Sequence, residues 1–114
     1  MREGENCRIH IISAEYFEDL LHLPPGFHVH YFPDCRNFLD MVSGYQAPDV
    51  IILDQKVLSN KLAFNLLRNK FGSVRMFFIV DSISEESANK KFFLLRTEMK
   101  AENLSGMLGI NNFP

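Results

Sequence analysis

In the stretch "APDVIILDQKV" (residues 47–57), the apolar run at residues 50–53 ends in a carboxylate, Asp54. A continuous apolar run reads as a strand covered on both faces. An aspartate at its carboxyl end is then a turn residue or a reactive group: a nucleophile, an acid–base group or a metal ligand. Other side chains able to do chemistry follow similar runs. Asp81 and Ser82 come after "VRMFFIV", Ser13, Ala14 and Glu15 close and follow "CRIHIIS", and Lys56 lies two residues beyond Asp54. Asp54 and Asp81 are weak Mg²⁺ candidates, because Mg²⁺ takes oxygen ligands and is held by one or two carboxylates. Lys56 is the near cation, on a loop where it is expected to point to solvent.

Weaker constellations exist. His28 and His30 stand two apart and share one side of a strand, with His10 on its expected neighbour; three imidazoles together could bind Zn²⁺ or Cu²⁺. The plainer reading is a set of polar positions on an edge strand. Cys7 and Cys35 flank opposite ends of two parallel strands, ~15 Å or more apart at the usual rise, which is beyond disulfide reach. Gly26, Gly44 and Gly72 are isolated, so no Gly-rich phosphate loop occurs.

The elements that must position these groups are legible as alternating periods. Strands are predicted at residues 7–13, 27–32 ("FHVHYF"), 49–54 and 74–80. Between them a helix at 14–23 has Tyr16, Phe17, Leu20 and Leu21 at helical spacing and stops at Pro24-Pro25-Gly26. Asp34 caps a short second helix with Phe38, Leu39, Met41 and Val42, ended by Gly44. A third, "NKLAFNLLRNKFG", is expected to bury Leu62, Leu66 and Phe71. A fourth is capped by Ser82 or Ser84, with Glu85 and Glu86 at its positive end and Ala88, Phe92, Leu95 and Met99 as its apolar stripe. A short last strand is predicted within residues 106–113. Strands alternating with helices imply a parallel sheet with right-handed crossovers, and the sites of such sheets lie outside the carboxyl ends of the strands. The fold expected is therefore α/β: a three-layer open parallel sheet, with a fifth strand at the end. Ser13–Glu15, Asp54 and Asp81 should meet at one edge.

Composition narrows the class. The 114 residues fit one domain, 1–114, and 46 % hydrophobic with 23 % charged residues is a globular balance. A net charge of −2 gives no field toward nucleic acid, and the longest apolar run is far short of a bilayer span. With two cysteines and no apolar run at its start, the chain reads as cytoplasmic.

"PDVIILDQKV", its distance from the end of the fourth strand, and the strand alternation resemble the receiver domain of bacterial response regulators, over roughly residues 7–84. The resemblance implies a flavodoxin-like or receiver-like strand order 2-1-3-4, with a fifth strand after it, and that Asp54 matches the aspartate that accepts a phosphoryl group from a histidine kinase. It also marks departures. The adjacent acidic pair that holds Mg²⁺ is replaced by Ser13 and Ala14, with Glu15 displaced by one. The hydroxyl residue after strand four is replaced by Asp81, with Ser82 next to it. No Lys-Pro follows a fifth strand, and the last helix is absent. Phosphoryl transfer spreads charge over three oxygens and needs a metal and a cation to compensate it. Asp81 would instead repel an incoming phosphate.

The implied function is a signal-transduction module: a degenerate receiver acting through protein–protein interaction, with little or no phosphotransfer and no enzyme activity. A genuine phosphoacceptor and a flavodoxin-like small-ligand binder are the alternatives. With the last helix missing, the sheet should leave an apolar patch near Met76, Phe78 and Val80 or their alternates, Phe77 and Ile79. Phe92, Leu95 and Met99 would either join that interface or fold back over it. A protein partner or a homodimer is expected there.

Overall fold

A computed structural model of the chain describes residues 7–45, 47–58, 61–83 and 92–107. Five strands, β1 (Cys7–Ile12), β2 (Phe27–Phe32), β3 (Val50–Asp54), β4 (Arg75–Val80) and β5 (Phe93–Leu95), form one sheet in the order β2-β1-β3-β4-β5. Every neighbouring pair is parallel. The helices are α1 (Cys35–Met41), α2 (Lys61–Lys70) and α3 (Ala101–Met107), and a 3-10 turn spans Glu18–His22. This is the flavodoxin-like open α/β sheet. No helix among the described residues is long and apolar enough to cross a membrane.

The three layers follow from the two-residue period of the strands. Ile9, Ile11, Val50, Ile52, Phe77, Ile79 and Leu94 meet Phe17, Leu20, Met99 and Leu104 on one face. Ile12, Ile51 and Leu53 meet Cys35, Phe38, Val42, Ala63 and Leu67 on the other. All five residues of β3 are buried, which is why this strand reads as an unbroken apolar run. The Asp34 side chain accepts from Asn37 N at 2.8 Å and caps α1. Gly26, at φ 103°, closes the turn into β2 in a backbone region that side chains disfavour.

Several elements differ from the sequence expectation. The first helix is one 3-10 turn; Phe17 just before it and Leu20 within it are buried, while Tyr16 and Leu21 are exposed. On α2 the buried pair is Ala63 and Leu67, and Leu62 and Leu66 face solvent. The two pairs are adjacent i,i+4 stripes, and the sheet selects the one whose small Ala permits close approach. The stripe assigned to a fourth helix breaks in the same way: Phe93–Leu95 is β5, so Phe92, Leu95 and Met99 do not share a helix face. Four apolar residues in a row suit a short strand better than a half-exposed helix. Ser84, Glu85, Glu86 and Ala88 lie outside the described residues. Among the described residues the last strand is thus β5, while residues 101–107 form a helix and 108–113 lie outside the described residues.

A last helix is therefore present. α3 lies beside the 3-10 turn, Ala101 N donates to Asp19 Oδ2 at 2.7 Å, and Leu104 is fully buried. α3 covers the face of Phe77 and Ile79, whereas Met76 and Phe78 pack on the opposite face against the cluster that holds Ala63 and Leu67. Val80 and Met99 are buried, Met76, Phe78 and Leu95 are half-buried, and of the six interface candidates only Phe92 is exposed.

Candidate functional site

Register brings the chemistry together. Ile12 pairs with Leu53 and Val80 with Leu95. One residue further on, Ser13 arrives beside Asp54 and Asp81 beside Arg96. All stand at the carboxyl edge of the sheet, as the parallel reading required.

Asp54, the last residue of β3, is 1 % exposed. Its Oδ2 accepts from Ser13 Oγ at 2.6 Å and from Arg96 Nη1 at 2.8 Å. Its Oδ1 accepts from Lys56 N at 3.0 Å and from Arg96 Nη2 at 2.8 Å. The guanidinium thus grips the carboxylate with both prongs, the strongest common ion-pair geometry. Arg96 also reaches two exposed carboxylates. Its Nε donates to Asp81 Oδ1 at 2.8 Å, and Nη1 donates to Glu15 Oε1 at 2.7 Å. Ser13 Oγ in turn accepts from Glu15 N at 3.0 Å, which fixes the turn after β1.

The electrostatics follow. Burial by itself raises the Asp54 pKa, but the Arg96 fork, the Ser13 hydroxyl and the Lys56 amide outweigh it and bring the carboxyl to about 2. Arg96 is held more firmly protonated by Asp54, and Asp81 is lowered by its bond to Arg96. The cation of the site is Arg96. The Lys56 side chain is exposed, and only its backbone amide serves Asp54. Asp81, expected to be a repulsive neighbour, is instead tied by the same guanidinium. Ala14 and Ser82 are exposed at the rim.

Sequence reasoning passed over Arg96 because it placed residues 92–99 on one helix. A signal was there: "FFLLR" repeats the form of "VIILD", an apolar run ending in one charge. Asp54 and Asp81, named as the Mg²⁺ candidates, are both engaged by Arg96. Among the described residues no group of three or more His, Cys, Asp or Glu side chains is arranged to hold a metal ion.

The histidines only partly converge. His10 and His30 are in register with ring centroids 5.5 Å apart, while His28 is exposed and in register with Arg8. His10 is fully buried among His30, Phe32, Phe38 and Tyr45, and neither ring nitrogen finds a hydrogen-bond partner. Burial, with His30 and Arg8 nearby, lowers its pKa to about 4. Cys7 and Cys35 are free thiols, raised by burial.

The edge defines a class of site: a buried aspartate at the end of the third strand of a flavodoxin-like open sheet, closed by the arginine that follows the fifth. Comparison of the chain with protein-family models, curated proteins and solved structures finds no match.

Proposed function

We propose that the chain is a receiver-like signalling module that works by binding a protein partner in the cytoplasm and does not take up a phosphoryl group. The observation that carries this reading is the saturated carboxylate. Each oxygen of Asp54 accepts two hydrogen bonds, one from Arg96 and one from Ser13 or Lys56. Attack on phosphorus needs a free lone pair in line with the leaving group. Here that lone pair would have to be released from the guanidinium first. A carboxylate with pKa about 2 is also a weak nucleophile. Arg96 occupies the place where a metal would neutralise charge, so Mg²⁺ has to displace a bidentate ion pair to reach Asp54.

One observation favours a second reading. Receivers have a lysine after the fifth strand, and Arg96 follows β5 directly. In that reading Arg96 is the counter-cation of a working phosphoacceptor phosphorylated at Asp54 by a histidine kinase. Incubation with acetyl phosphate and Mg²⁺, followed by intact-mass measurement, separates the two. No added mass is expected. A gain of one phosphoryl group that Asp54→Asn abolishes would overturn the first reading in favour of the second.

A further inference from the structure

Among the described residues, the rim of the sheet formed by β2 has β1 as its single strand neighbour. In a parallel ladder the N–H and C=O of one residue point to the same side, and successive residues alternate. The carbonyls of Gly26 and Phe32 both face β1, accepting from Cys7 N at 2.9 Å and Ser13 N at 2.8 Å. Counting in twos, His28 and His30 also turn their backbone groups inward. Phe27, Val29 and Tyr31 turn theirs outward. Phe27 N is satisfied by Pro24 O at 3.3 Å. Among the described residues the open donors and acceptors of the rim are therefore those of Val29 and Tyr31, placed symmetrically about His30.

Edge strands are ordinarily blunted by charge, by proline or by brevity. β2 has six residues, "FHVHYF", with no Lys, Arg, Asp, Glu or Pro. The opposite rim, β5, has three. β2 is also tethered to the segment before the 3-10 turn: Tyr31 Oη accepts from Phe17 N at 3.2 Å and donates to Phe17 O at 3.3 Å. Val29, His30 and Tyr31 are half-buried without a further strand.

We propose that β2 pairs antiparallel with β2 of a second copy of this chain, joining two five-stranded sheets into one of ten. The register is dictated by which backbone groups are free. Val29 lies opposite Tyr31 of the second copy, and Tyr31 opposite its Val29. Each pair exchanges two N–H···O=C bonds. The two-fold axis passes at His30, which faces its own counterpart. Val opposite Tyr is a β-branched–aromatic pair, a favourable cross-strand combination, and no like charges are opposed. Any extended strand can match these groups, but a second copy fills the open groups of both rims about one two-fold and brings no Lys, Arg, Asp or Glu to the seam, so the occupant is a second copy of the chain. An edge contact buries less than the ~1,600 Å² of an ordinary stable interface, so the dimer is weak and fills at roughly 0.1–1 mM.

The test uses the intact chain. Sedimentation equilibrium from roughly 10 µM to 1 mM spans the transition expected for so small an interface. Over that range the average mass should rise from 13.2 kDa toward twice that value. Hydrogen exchange on the same samples should slow several-fold at the amides of Val29 and Tyr31, with those of the central strand β3 unchanged. A monomer throughout overturns the proposal, and so does a dimer in which Val29 and Tyr31 exchange at the monomer rate. His30→Glu and His30→Lys place like charges on the two-fold axis, so each alone should be monomeric and an equimolar mixture should dimerise. A mixture that associates no more than its components rejects the register. If these variants fail to fold, the wild-type exchange decides.

Discussion

Asp54 and Arg96 stabilise one another only as a pair. A buried carboxylate without its cation is left with the Ser13 hydroxyl and the Lys56 amide. Removing one partner of a buried ion pair costs about 3–5 kcal/mol. Arg96→Ala should fall at the lower end of that range, because two donors remain. Arg96→Lys should lose less, keeping the charge but not the fork. Urea unfolding of the two variants checks the order. An NMR titration should also find the Asp54 pKa raised in Arg96→Ala. The sign for the wild type follows from its lowered carboxyl. The contribution of Asp54 is present above about 3.8 and is lost as pH falls toward 2.

His10 works in a different window. Its folded pKa is lowered from 6.5 to about 4, so below 6.5 the unfolded chain binds the proton first. The stability it permits is whole above pH 6.5 and is lost as pH falls toward 4, by about 3 kcal/mol in total. His30 and Arg8 oppose a charge there and Asp49 favours it, but neither ring nitrogen has an acceptor. His10→Leu should remove that acid-labile limb, since an apolar side chain loses no hydrogen bond at a site that has none. Urea unfolding at pH 7.5 and pH 5 should show a smaller loss on acidification in the variant than in the wild type.

At the scale of elements, β5 and α3 form the least extensive part of the sheet and the part that completes the site. β5 pairs through three residues, and α3 has seven. Both are short for independent stability, so tertiary contacts hold them: Leu94, Met99 and Leu104 in the core, Asp19 on Ala101 N, and Arg96 on Asp54. Asp19→Ala removes the acceptor for the first amide of α3 and should cost about 1 kcal/mol, as lost helix caps do. The Leu104 amide, bonded to Lys100 O, should then exchange faster than the amides of β1. Leu104→Ala should cost about 2–5 kcal/mol by leaving a cavity in a fully buried position. If that variant also raises the Asp54 pKa, α3 and the ion pair form one cooperative unit.

At the scale of the molecule, one sheet carries two distinct surfaces. Its carboxyl edge gathers three carboxylates around one guanidinium, and its β2 rim is uncharged. The two lie on different borders of the sheet. The dimer expected through β2 should therefore leave the Arg96 pair intact. Arg96→Lys should change stability and the Asp54 titration without changing the association measured by sedimentation.

What the sequence by itself determined was the alternation of parallel strands with helices and the edge on which chemistry gathers; the order 2-1-3-4 came with the receiver resemblance. Strong two-residue periods and unbroken apolar runs, "VIIL" above all, admit few other arrangements, and parallel crossovers send every strand end to one side. Asp54, Asp81 and the Ser13–Glu15 turn were legible for that reason. The tertiary structure decided what local pattern leaves degenerate. Residues 92–95 fit a helix stripe or a strand equally well, and pairing of β5 with β4 settled it. Either i,i+4 pair on α2 could have faced inward, and close packing on the sheet chose Ala63 and Leu67. The partner of Asp54 was decided in the same way. Arg96 is 42 residues away in the chain, and only the register of β5 brings its guanidinium to the carboxylate.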